Sequence, residues 1–94
     1  MCKLKFEWDD NKNSSNLKKH GVSFETASSV FRDDNRLIIF DNNSSEQEER
    51  YITIGRAETD IVVLFVSFTM RNYAIRIISA RKANKREEEL YYDC

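Results

Sequence analysis

Residues 61–68, Ile61-Val62-Val63-Leu64-Phe65-Val66-Ser67-Phe68, are apolar at every position but Ser67. Such a run has no wet face, so it reads as a strand covered on both sides, the middle of a sheet. It is also far short of the ~20 residues that a membrane-crossing helix needs. A chain of 94 residues has room for one core of this kind, and a single domain over residues 1–94 is expected.

Other strands gather around that run. Leu37-Ile38-Ile39-Phe40, residues 51–55 and residues 73–80 are rich in β-formers. At the start, Leu4, Phe6 and Trp8 alternate with Lys3, Lys5 and Glu7, the period of a strand with one dry side. The connections at 58–60 and 70–72 are short enough for antiparallel hairpins, and Asp41-Asn42-Asn43-Ser44-Ser45 is a turn-forming loop.

Helix signals are local and specific. Asp9 is placed to cap a helix reaching Lys19 or His20, with Asp10 in its first turn and Gly21 as its left-handed stop. Ser23 opens a second helix in which Phe24, Ala27, Val30 and Phe31 keep helical spacing and Val22 staples onto Ala27, until Asp33-Asp34-Asn35 ends it. Asn84 opens a third, running to about Tyr92. The expected order is β-α-α-β-β-β-β-α, an α+β fold with a mainly antiparallel sheet and its helices on one side.

The net charge of −1 conceals a local asymmetry. Arg71, Arg76, Arg81, Lys82, Lys85 and Arg86 occupy residues 71–86 without an acid, and Glu87, Glu88, Glu89 and Asp93 follow at once. Asp41, Glu46, Glu48 and Glu49 form a second acidic stretch. A polyanion would therefore be met through a local site and not through a global field. Cys2 and Cys94 fit neither a disulfide framework nor a zinc site and receive no role. No apolar signal core opens the chain, so cytoplasmic residence without membrane contact is expected.

Lys12, Asn16 and Lys19, spaced i, i+4, i+7, share one helix face, and the single histidine, His20, sits at its tip. A helix C-terminus favours protonated imidazole, which suits proton transfer. The same spacing also serves a solvated helix whose His20 caps carbonyls. Arg76 lies within an aliphatic strand, on the side of Ile78 and Ala80 by simple alternation. It either meets a carboxylate such as Glu7 or Glu49, or looks out toward an anionic ligand. Arg81 emerges at the strand's end.

One histidine and two terminal cysteines build no tetrahedral metal site, and no glycine-rich phosphate loop or nucleophile elbow is present. No cofactor is expected. Arginine, lysine, histidine and glutamate remain, a set suited to metal-independent phosphodiester cleavage by the ribose 2′-hydroxyl, which needs a base, a cationic cradle and an acid.

The string Phe6-Glu7-Trp8-Asp9, Lys12, Asn16, Lys19-His20-Gly21-Val22-Ser23-Phe24, Ala27, Val30-Phe31-Arg32-Asp33, Glu49-Arg50, Ile54-Gly55 and Arg76-Ile77-Ile78-Ser79-Ala80-Arg81 resembles the BrnT family of toxins, from residue 6 to about 91. The resemblance implies a RelE-like fold and a ribonuclease that inhibits translation. It also implies neutralisation by a BrnA-like antitoxin, which alone would touch operator DNA, in a dimer or a heterotetramer. The positions it matches are Lys12, Asn16, Lys19, His20, Gly21, Arg50, Gly55, Arg76, Arg81 and Tyr91, while Asp10 and Asp34 stand where the pattern often has proline. On this basis Arg76 and Arg81 are expected to bind the scissile phosphate and His20 to transfer a proton. Arg50 is expected as a supporting cation with Glu49 as its partner, and Lys12 and Lys19 as holders of the RNA backbone. Two competing readings are an inactive toxin-like binding module and a nucleic-acid-binding regulator acting through the cationic 71–86 segment.

Overall fold

The computed structural model describes residues 4–41, 49–58 and 62–93. Cys2, Cys94, the expected loop at 42–45, Glu46, Glu48, the turn at 59–60 and Ile61 lie outside them. The elements are β1 (Phe6–Glu7), α1 (Asp10–His20), α2 (Phe24–Ser28), a 3-10 turn (Ser29–Arg32), β2 (Leu37–Asp41), β3 (Arg50–Arg56), β4 (Val63–Arg71), β5 (Ala74–Lys82) and α3 (Lys85–Tyr92). This is an α+β architecture with a five-stranded mixed sheet. Among the described residues no helix is long and apolar enough to cross a membrane.

The capping residues act where the sequence places them. Asp9 accepts from the N–H groups of Asn11 and Lys12, Ser23 from that of Thr26, and Asn84 from that of Glu87, whose carboxylate in turn accepts from the Asn84 N–H. Each cap stabilises its helix by about 1 kcal/mol. Gly21 takes φ 72° and donates to Leu17 O, closing α1 in the left-handed conformation that costs other residues most. The second helix is shorter than its apolar spacing predicts. The hydroxyls of Ser28 and Ser29 bond back to the carbonyls of Glu25 and Thr26, competing with the backbone, and the chain tightens into the 3-10 turn. Val30 and Phe31 still reach the core.

The strand order is β1-β5-β4-β3-β2, with β1 parallel to β5 and the other three pairs antiparallel. The bilaterally apolar run is indeed the central strand. It continues past Phe68 to Arg71 because Thr69, Met70 and Arg71 pair with Arg76, Ile75 and Ala74 in the hairpin. On one face Leu64, Val66 and Phe68 pack with Val22, Phe24, Ala27, Val30 and Phe31. On the other, Val63 and Phe65 pack with Ile54 and Tyr91. The helices are therefore not segregated to one side: α1 and α2 serve the first face, and α3 covers part of the second. Chain geometry accounts for this, since Ala83 donates to Val63 O just past β5 and Tyr91 then anchors α3 over that face.

A β-bulge decides which way β5 points its cations. Ser67 pairs with Ser79 but Phe68 pairs with Ile77, leaving Ile78 as the extra residue. Ile75, Ile77 and Ala80 consequently share the helix-side core. Arg76, Ser79 and Arg81 emerge on the opposite face, so the expected alternation that grouped Arg76 with Ile78 and Ala80 does not hold.

Gly55 is required by packing. A Cβ there would stand 2.8 Å from Val30 Cγ1 and 2.9 Å from Arg36 Cβ, so its absence lets the 3-10 turn lie directly on β3.

Candidate functional site

On the face opposite α1 and α2, β1, β5 and β4 set out a ladder of polar side chains. Glu7 pairs in register with Arg76, and Arg76 with Thr69. Arg76 Nη1 donates to Glu7 Oε2 at 2.9 Å, and the two side chains remain 28% and 35% exposed. This settles the choice between carboxylates in favour of Glu7, while the guanidinium still reaches solvent. The next rung is Ser79 beside Ser67, and the next Arg81 beside Phe65.

Arg81 is held far more tightly. Its guanidinium lies 4.0 Å over the Phe65 ring. Nη1 and Nη2 donate to the two carboxylate oxygens of Glu87 at 2.8 and 2.9 Å, and Nη1 also donates to Lys82 O at 3.2 Å. Glu87 accepts in addition from the Asn84 N–H. The bond from Arg81 holds the Glu87 carboxyl below its ordinary 4.5 despite partial burial, and Glu87 raises Arg81 in return. The fork of Arg81 is thus spent on α3, whereas Arg76 gives its partner a single bond.

Arg50 belongs to the same face, since its neighbour Tyr51 stacks on Phe68 on the other. Its Nε is buried without a hydrogen-bond partner. Glu49 does not serve it through any bond shown among the described residues. The Glu49 carboxylate accepts from Tyr51 OH at 2.9 Å, which raises the Tyr51 phenol, and its backbone carbonyl accepts from Thr69 Oγ1.

Asn16 places the cations of α1. β1 covers β5 only at Ile75 and Arg76, leaving the outer edge beyond them open. The Asn16 amide fills it, Nδ2 donating to Ala80 O at 2.7 Å and Oδ1 accepting from Ala80 N–H at 3.2 Å, as a neighbouring peptide would. Nδ2 also donates to Val22 O at 2.9 Å, tying the inter-helix corner to the same point. Lys12, Lys19 and His20 lie four before, three after and four after Asn16, so they border this seam. All three are exposed, and no side-chain hydrogen bond or ion pair joins them to another described residue.

The structure thus brings Arg76, Arg81 and Arg50 to one face and Lys12, Lys19 and His20 to the β5 edge. Among the described residues no hydrogen bond or ion pair joins His20 to Arg76, whose side chain emerges on the sheet face opposite α1 and α2. Sequence reasoning missed the clamp on Arg81, whose one readable signal was Glu87 in the third position after the Asn84 cap. It also missed the Ser67–Ser79 rung, which depends on the bulge.

A cleft of about 250 Å³ is lined by Asn35, Arg56, Tyr91 and Tyr92. Beside it Tyr91 OH donates to Asp33 Oδ2. Burial and that bond push the Tyr91 phenol up to about 12. Burial opposes ionisation of Asp33, but donors from Arg56, Tyr91 and Asn35 outweigh it and hold the carboxyl below 3.8. None of the expected catalytic residues lines this cleft, and its contacts mount the end of α3. Among the described residues no group of three or more His, Cys, Asp or Glu is placed to hold a metal ion.

A family model described as a ribonuclease toxin, BrnT, of type II toxin-antitoxin systems matches residues 8–87. No curated protein matches significantly.

Proposed function

This chain belongs to the BrnT family of ribonuclease toxins of type II toxin-antitoxin systems, and from that premise we propose that it cuts RNA on the open face of its sheet, with Arg76 holding the scissile phosphate. The observation that carries this reading is the single-point bond of Arg76 to Glu7, on a face where both groups remain in contact with solvent. A guanidinium engaged at one nitrogen keeps further N–H donors for phosphate oxygens, and a preorganised donor of this kind is worth about 10²–10³-fold in rate.

The rest of the track follows from the ladder. Arg81, five residues beyond Arg76 on β5 and with its fork held by Glu87, adds positive charge farther along the track. Ser67 and Ser79 lie between, offering hydroxyls to sugar or base. Arg50 adds charge from the adjoining strand. Lys12, Lys19 and His20 hold the RNA backbone where it turns round the β5 edge. His20 is grouped with these holders of the backbone because it is exposed beside Lys19 at the tip of α1, whereas Arg76 emerges on the opposite face of the sheet.

We further propose that the reaction is metal-independent, because the donor set on this face is arginine, serine and glutamate. Translation stops through loss of messenger RNA, in the cytoplasm. The family implies an antitoxin partner; that it is BrnA-like, assembles with the toxin as a dimer or heterotetramer, and carries all operator contact, together with a RelE-like fold, rests on the family resemblance. The test is RNA cleavage by the purified chain in excess chelator. Products ending in 2′,3′-cyclic phosphate are expected, together with at least a 100-fold loss in Arg76→Ala at unchanged melting temperature. Cleavage that vanishes with chelator, or survives intact in Arg76→Ala, defeats the proposal.

A further inference from the structure

We infer that Glu7 is the general base of the cleavage reaction. The inference rests on the reading of the sheet face as a ribonuclease site and deepens it by filling a role that no residue has yet been given. It grows from a comparison of two Arg–Glu pairs on the same face. In the Arg81–Glu87 pair both carboxylate oxygens accept from the guanidinium, one accepts a further bond from the Asn84 N–H, and the Glu87 side chain is only 14% exposed. That carboxylate has no spare oxygen and no room for substrate. In the Arg76–Glu7 pair only Oε2 is engaged, by one bond, and the Glu7 side chain is 35% exposed. Oε1 makes no hydrogen bond to a described residue.

The two pairs divide the work between them: the first is a strut, and the second places a free carboxylate oxygen beside a guanidinium. A phosphate held by the remaining donors of Arg76 brings its ribose within reach of Oε1. The carboxylate is an acceptor when ionised, which is what the attacking hydroxyl requires. The register pairing of β1 with β5 fixes the two side chains on rigid strands, and positioning of this quality is what converts proximity into rate.

The step balances without a cofactor. The ribose 2′-hydroxyl gives its proton to Glu7 Oε1 as the 2′-oxygen bonds to phosphorus. The bond from phosphorus to the 5′-oxygen breaks, and the departing oxygen takes a proton from solvent water, to which this face is open. The hydroxide left behind is neutralised by the proton that Glu7 releases. The products are a 2′,3′-cyclic phosphate and a 5′-hydroxyl.

The experiment compares wild type, Glu7→Gln and Glu7→Asp on a short RNA, reading kcat, RNA affinity and melting temperature in parallel. Glu7→Gln keeps an oxygen for Arg76 but accepts no proton. Its kcat is expected to fall 10²–10⁴-fold with affinity and melting temperature unchanged, and Glu7→Asp to recover part of the rate. A Glu7→Gln variant that cleaves at the wild-type rate overturns the assignment while leaving the ribonuclease reading intact. So does one that loses cleavage only in step with RNA affinity or thermal stability. A wild type that cleaves no RNA while binding it overturns the broader reading, and Glu7 with it.

Discussion

Arg81 grips Glu87 through two parallel hydrogen bonds, Nη1 to Oε1 at 2.8 Å and Nη2 to Oε2 at 2.9 Å, over a Phe65 ring that fills the space beneath. The pair joins the last strand to the last helix and is the main electrostatic tie between α3 and the sheet. Its geometry is two-point and Glu87 is mostly buried, which separates it from surface ion pairs that contribute about 0–1 kcal/mol.

Breaking this clamp is expected to lower stability more than turnover. Arg81→Lys keeps the charge and loses the fork, so urea unfolding should show a loss of roughly 1–3 kcal/mol, while kcat per folded molecule stays within about tenfold of wild type. Arg76→Lys should do the reverse, with cleavage reduced by about 10²-fold and the unfolding midpoint nearly unchanged. The contrast is read from one pair of assays on both variants.

Acid should destabilise the fold by a defined route. Glu87 and Asp33 both have carboxyls held below their ordinary values in the folded state. The stability they confer is therefore complete above the unfolded values, 4.5 and 3.8, and is lost as pH falls through the lower folded ones. Melting temperature should drop on acidification below 4.5, and Glu87→Gln should flatten the upper part of that drop.

At high pH the sign reverses at Tyr91. Its phenol is raised from 10.0 to about 12, so its contribution is whole below 10 and disappears as pH rises through 12. Tyr91→Phe should cost about 1 kcal/mol near neutrality and remove the alkaline loss between those values, as measured by denaturant midpoints across the range.

Asn16→Ala is expected to be among the costliest single changes to a polar residue. It strips partners from Ala80 N–H, Ala80 O and Val22 O at once. Unmet buried backbone groups cost about 1–3 kcal/mol each, so unfolding free energy should fall by roughly 3 kcal/mol. Hydrogen exchange should quicken first at the Ala80 amide, with cleavage lost only as folded protein is lost.

Features governed by a few neighbouring residues were legible beforehand. Asp9, Ser23 and Asn84 cap, Gly21 stops a helix, and the run through Leu64 and Val66 is the central strand, because each depends on local chemistry or on the period of burial. The side on which Arg76 emerges was not legible, because it turns on one extra residue, Ile78, opposite a strand far away in sequence. Nor was the task of Asn16, whose partner is 64 residues downstream. The placement of α3 escaped for the same reason, resting on the contacts of Tyr91 with Asp33 and of Glu87 with Arg81. Composition named the cations of the site; long-range register decided which of them share it.

The amide that closes the β5 edge also sets a limit on assembly. At the far border of the sheet, β2 exposes Ile38, Ile39 and Phe40 at 59%, 41% and 50%, and no described strand pairs with its outer edge, which invites strand addition. At the near border that invitation is withdrawn by a two-residue strand and a side chain. Two copies that joined through β2 would bury each other's sticky margin and present only blunt ends outward. Recruitment by strand addition would halt at a pair instead of running on into a filament.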